Sequence, residues 1–123
     1  MSHLLLILFS SFYIFSLSKA CSSTPAISSI RSCTQCESNG QVDCTGKSVC
    51  QGRYCIYVRI MDQSTGTSNV KRGCTDKPFF DFPDYDRSRA VNRCEYKRLD
   101  GITYGVHICD GSDNCALSCD QFF

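Results

Sequence analysis

The stretch Cys33-Thr34-Gln35-Cys36, followed by Cys44 and by Cys50-Gln51-Gly52-Arg53-Tyr54-Cys55, places five cysteines within 23 residues. Too few large apolar side chains lie between them to build a buried core, so the sulfurs must do the tying. The whole chain holds 11 cysteines in 123 residues. That density reaches the roughly 8–10% that marks a disulfide scaffold. A small domain without enough core is held by cross-links, and these persist where the surroundings are oxidising.

The start of the chain agrees with such a compartment. Residues 4–17 are almost wholly apolar, and Ser18-Lys19-Ala20 follows with small residues at the −3 and −1 positions of a cleavage site. This is the pattern of a secretory signal peptide over residues 1–20. The apolar run is too short for a bilayer span, which needs about 20 residues. All cysteines stay with the remainder, which divides into a Ser-rich leader over 21–32 and a cysteine-rich domain over 33–123. The formal net charge of +1 becomes neutral when Lys19 leaves. No basic stripe suits nucleic acid. The ending Cys119-Asp120-Gln121-Phe122-Phe123 has no apolar tail for a glycolipid anchor. The expected location is secreted and extracellular.

Inside the domain the periodicity is that of strands. Tyr54, Ile56, Val58 and Ile60 alternate with Cys55, Tyr57, Arg59 and Met61, which predicts a half-buried strand. Asp62, Gln63, Ser64, Thr65, Gly66, Thr67, Ser68 and Asn69 read as an exposed polar tip, with residues 70–74 returning. Residues 94–99 meet 102–109 across Asp100-Gly101, a favoured type I′ pair that sets Cys94 opposite His107; a Gly101-Ile102 turn would instead set Cys94 opposite Cys109. Asn39-Gly40 marks another turn, giving a small hairpin or tight loop between Cys36 and Cys44. Residues 75–93 are less regular, with Phe79, Phe80, Phe82 and Tyr85 around Pro83 and a short helical turn expected near 88–92. The fold class is small, all-β and disulfide-rich, in one domain.

The cysteine spacing resembles a known family. Cys33-x-x-Cys36, Cys44, Cys50, Cys55 at a strand start, and Arg72-Gly73-Cys74 after a hairpin resemble the opening of the lymphocyte-antigen-6/urokinase-receptor three-finger domains. The ending Cys109 … Asp113-Asn114-Cys115 is similar to that family's closing loop. The wording Cys50-x-Gly-x-Tyr-Cys55 and Arg72-Gly73-Cys74 is most similar to the ET modules of secreted nematode proteins. The resemblance implies three-finger-like antiparallel hairpins on a cystine-knot-like core. It also implies bridges Cys33–Cys55, Cys36–Cys44 and Cys50–Cys74. The chain departs from the pattern in its single Cys109, in Ala116, and in the extra Cys21 and Cys119. Two endings follow. Either Cys94 pairs with Cys109 and Cys115 with Cys119 or Cys21, or Cys109 pairs with Cys115 and Cys94 pairs elsewhere. An odd count leaves one thiol over. Cys21, on the leader, is the candidate free thiol or the link of a covalent homodimer.

Candidate chemistry is sparse. Cys33, Cys36, Cys50 and Cys55 have zinc-like spacing, but oxidation in a secretory route removes the thiolates. A redox role for Cys33-x-x-Cys36 lacks the β-α-β context. His107 is the one histidine after the signal segment, and inside a predicted strand it reads as a strand-face side chain rather than a catalytic base. Asp81, Asp84 and Asp86 lack the ordered spacing of a calcium loop. Lys71-Arg72 could be a processing site, but it sits two residues before a strand cysteine and is read as structure. No Asn-x-Ser/Thr glycosylation signal occurs in the sequence. No catalytic residue, cofactor or metal is therefore expected. Binding of an extracellular protein remains, through the 62–69 tip or through the aromatic run 79–85, whose phenylalanines also suit a small core. The alternative function is inhibition of a secreted hydrolase by the inserted 62–69 tip.

Overall fold

Alternation over residues 54–61 requires a strand with two chemically different faces, and that strand is the middle of the sheet. The computed structural model describes residues 29–40, 43–46 and 48–120. The signal segment, Cys21 and most of the leader lie outside the described residues. The strands are β1 (Arg31–Asn39), β2 (Ser48–Gly52), β3 (Tyr54–Asp62), β4 (Ser68–Thr75), β5 (Arg93–Leu99) and β6 (Ile102–Cys109). They form one six-stranded antiparallel sheet in the order β2-β1-β4-β3-β6-β5. The helical turn expected near 88–92 is absent. Ser88 donates its backbone NH to Phe80 O and accepts from Phe80 N, while the Glu95 carboxylate takes Arg89 N, so these groups are used across the loop.

The three hairpins β1–β2, β3–β4 and β5–β6 arise from local chemistry. Asp100 and Gly101 have φ of +48° and +78°, the double left-handed turn that Asp-Gly favours. That turn fixes the register, with Cys94 opposite His107. β1 is shared between two partners. Its first half pairs with β2, and Cys36 to Asn39 pair with β4. Cys36 to Asn39 thus continue the strand, and at its end Gly40 N donates to Ser68 O and Ser68 Oγ donates to Gly40 O. Of the small hairpin or tight loop expected between Cys36 and Cys44, residues 41 and 42 lie outside the described residues. Gly52 is required where β2 ends, because a Cβ there would lie 2.9 Å from the Cys74 Cβ.

The two faces of β3 are filled differently. On one, Cys55 and Tyr57 join Cys33, Cys44, Val70, Cys109, Ala116 and Cys119. On the other, Val58 packs with Val106, Ile108, Tyr104 and Phe82, and Ile56 and Ile60 adjoin them. The strand is thus covered on both sides rather than half-buried. Bridged cysteine and tyrosine supply the apolar surface that the second face needs.

Five disulfides join the described cysteines: Cys33–Cys55, Cys36–Cys44, Cys50–Cys74, Cys94–Cys119 and Cys109–Cys115. The first three are the pairs that the resemblance implied. Of the two endings, the structure has the one in which Cys109 and Cys115 close the last loop and Cys94 finds a distant partner. Hairpins, one sheet and five bridges make a small all-β disulfide-rich domain consistent with a three-finger-like architecture.

Candidate functional site

Cystine packing leaves the polar groups on its margin in need of partners, and Arg72 supplies most of them. Its guanidinium meets the Asp43 carboxylate through Nε at 3.0 Å and Nη2 at 2.6 Å. It also donates to Ala116 O and to Ser118 Oγ, and lies 4.8 Å from the centre of the Tyr57 ring. Burial pushes the Asp43 carboxyl up, but hydrogen bonds from Arg72 and Ser118, with the Arg72 charge, bring it below the usual range. Burial also pushes the Tyr57 phenol up to about 12, assisted by the charges of Asp120 and Asp43. Of the Lys71-Arg72 pair, Arg72 is structural: it ties β4 to Asp43, Ala116 and Ser118, while Lys71 is exposed.

The last loop closes on β1. Asp113 and Asn114 side chains accept from Ser32 N and Thr34 N, and Asn114 N donates to Ser32 O. His107 is buried in β6, with Nδ1 3.0 Å from Leu117 O. Its ring and the sulfurs of Cys94 and Cys119 offer ligand atoms within 4.8 Å of one another. The sulfurs are bonded to each other, so His107 packs beside a bridge. Cys33, Cys36, Cys50 and Cys55 are likewise all in disulfides, which leaves no thiolate for the zinc spacing read from the sequence.

The polar tip is shorter than its sequence suggests. Ser68 is buried and, with Asn69, belongs to β4, while Asp62 ends β3. The turn between them closes on itself. Asp62 N donates to Thr67 O, Gly66 N to Asp62 O, and Ser64 N to the Asp62 carboxylate. Gln63, Ser64, Thr65 and Thr67 remain exposed, and Gly66 is half-buried.

The aromatic run separates into core and surface. Phe82 is buried edge-on between Phe80 and Tyr104, at centroid distances of 5.4 and 5.8 Å. The chain then turns through Pro83 and Asp84. Tyr85 N donates to Phe82 O at 3.1 Å and Phe82 N to Asp86 O at 2.8 Å. This is the three-residue loop whose last residue is left-handed, a position normally given to glycine. Here it is Tyr85, at φ +65°, with 98% of its surface exposed.

Ion pairs hold that loop at both margins. Lys97 Nζ from β5 lies 2.7 Å from the Asp84 carboxylate and 2.9 Å from that of Asp86. Hydrogen bonding to Lys97 is the main cause that holds both carboxyls below their ordinary range and raises the lysine. Arg87 pairs with Asp81 at 2.9 Å and lies 4.2 Å from the Phe79 ring centre. The three aspartates that lacked calcium-loop spacing are thus distributed to cations of this chain. Tyr85 was one member of the sequence-predicted aromatic surface, and the signal that singles it out is Pro83-Asp84, which sets up a turn wanting glycine next.

No family model and no curated protein matches the chain. Its likeness to three-finger domains rests on cysteine spacing and on the hairpins and bridges described above.

Proposed function

We propose that the protein is a secreted, non-catalytic binding module of the three-finger type, most similar in its cysteine wording to ET modules, and that it contacts an extracellular protein through Tyr85. The presentation of Tyr85 carries this reading. The turn favours glycine at that position, and the tyrosine ring gains no burial within the chain. A bulky residue in a left-handed conformation costs about 1–2 kcal/mol. Backbone strain of this kind gathers at functional positions, and exposed aromatics on a rigid frame are effective interface anchors. The frame is rigid because Phe82 is buried beneath the turn and Lys97 grips the residues on both sides of Tyr85.

Secretion is supported by the apolar segment before Cys21 and by the five bridges. Among the described residues, no helix is long and apolar enough to cross a membrane. His107 lies beside a bridge with one ring nitrogen at a backbone carbonyl, which suits packing better than catalysis. Ten of the 11 cysteines are bridged to one another, and the eleventh, Cys21, is the proposed link between two copies.

The test is proximity labelling at the surface of animal cells, with a labelling peroxidase fused to the full chain. An extracellular protein labelled by the wild type and lost with Tyr85→Ala, while circular dichroism and bridges stay unchanged, supports the reading. Equal labelling by the two proteins rejects Tyr85 as the anchor.

A further inference from the structure

Six tyrosines occur in the chain. Among those described, Tyr57 and Tyr104 are buried, Tyr54 and Tyr96 are half-buried, and Tyr85 alone is exposed. The exposed phenol is also the one set among carboxylates: the local sequence is Asp81-Phe82-Pro83-Asp84-Tyr85-Asp86. Asp84 and Asp86 keep their charges, since Lys97 holds both in the ionised form. The loop is held against β5 and β6 through Phe82 and Lys97, and Tyr85 at its turn has 98% of its surface exposed.

We infer that Tyr85 is a site of tyrosine O-sulfation during passage through the secretory route. The inference rests on the secreted reading given above. The donor class is a 3′-phosphoadenylyl sulfate. The phenolic oxygen attacks the sulfur of the sulfuryl group, the bond from that sulfur to the adenylyl phosphate oxygen breaks, and the phenolic proton passes to a base of the transferase. The products are a tyrosine sulfate ester and adenosine 3′,5′-bisphosphate, with no change of oxidation state. A transferase that binds so anionic a donor has a basic cleft. The Asp84 and Asp86 carboxylates, paired with Lys97 and, for Asp86, Arg89, keep 39% and 51% of their side-chain surface open to it on either side of the phenol. Burial keeps Tyr57 and Tyr104 out of such a cleft.

The modification also defines the partner's chemistry. A sulfate ester adds a fixed negative charge and strong acceptor oxygens at the outermost point of the loop, next to Asp84 and Asp86. The complementary surface carries arginine or lysine, which bind such groups through charge-assisted hydrogen bonds. The added group needs no space inside the fold, because Tyr85 is 98% exposed.

The experiment is mass spectrometry of the full chain secreted by animal cells, with and without chlorate to block synthesis of the donor. Residues 73–87 form a tryptic peptide with one tyrosine, Tyr85. The expected result is an added SO3 on this peptide that resists phosphatase, disappears with chlorate and is absent in Tyr85→Phe. Asp84→Asn with Asp86→Asn lowers its occupancy severalfold. A secreted chain that is unmodified at Tyr85, or a group removed by phosphatase, overturns the proposal. Retention of the chain in the cell counts against the secreted reading instead. The proposal is then decided by mixing the folded protein with tyrosylprotein sulfotransferase and 3′-phosphoadenylyl sulfate, where lack of transfer overturns it.

Discussion

The two faces of β3 solve the same problem by different means. On the Cys55–Tyr57 face, covalent bonds hold together segments that have little apolar surface to bury. On the Val58 face, residues 79–90 are held without any sulfur, by Phe82 among Tyr104, Val106 and Ile108 and by the Lys97 and Arg87 ion pairs. Cross-links tolerate loose packing because they act on the unfolded chain. A single buried ring does not, because its contribution depends on the fit. The sulfur face thus makes the frame, and the aromatic face uses it to display a loop.

This contrast breaks most plainly on the sulfur side. Replacing both Cys50 and Cys74 by serine removes the bridge that ties β2 to β4, and should cost about 2–5 kcal/mol. For so small a domain that is most of its stability, so secretion should collapse. Non-reducing electrophoresis and the urea midpoint measure it. Unchanged yield and midpoint would show that the frame does not depend on this cross-link.

The corresponding change on the aromatic face is Phe82→Ala. Large-to-small substitution of a buried ring costs about 3 kcal/mol or slightly more. The loss should be local. Hydrogen exchange should quicken at Phe82 N, Tyr85 N and Ser88 N, while β3 and β4 amides stay protected by the bridges. Uniform loss of protection across the sheet would mean that the two faces are one cooperative unit.

A smaller effect, on the cystine side, depends on pH. The folded-state pKa of Asp43 is depressed, so its contribution is present above the unfolded carboxylate value of about 3.9 and is lost as pH falls through the folded value. The wild type should therefore be more stable than Asp43→Asn at neutral pH, and the two should converge under acid. Urea midpoints measured from neutral to strongly acidic pH would show it. A constant difference would mean that the Arg72 contact contributes through packing alone.

Much of the frame could be read from the sequence because its signals are local. Asp100-Gly101 favoured a turn whose register puts Cys94 opposite His107, and the structure has that register rather than the Gly101-Ile102 alternative. Spacing of the six cysteines from Cys33 to Cys74 carried three bridges by resemblance. The Cys94–Cys119 bridge had no such signal, since Cys119 is extra to the family pattern and spacing alone does not give a connectivity. The second buried face of β3 was hidden for a related reason, because cysteine and tyrosine at alternate positions read as a mixed surface until bridging makes them core. The loop at 83–85 was partly legible. Pro83-Asp84 announced a turn, but an aromatic run beside a proline suits core and surface equally, and only the register of the turn sends Phe82 inward and Tyr85 outward.

The smallest expected change tests why Tyr85 is there. Tyr85→Gly gives the left-handed position the residue it favours, at the cost of a more flexible unfolded chain. Relief of strain and gain of unfolded-state entropy oppose each other, so stability should stay level or rise by up to about 1 kcal/mol. Loss of the ring should at the same time abolish the labelling that depends on Tyr85. That combination, equal or greater stability with lost binding, is what a residue kept for contact produces. If Tyr85→Gly instead lowers the urea midpoint, the ring supports the loop itself, and the aromatic face is then a second structural core rather than a display surface.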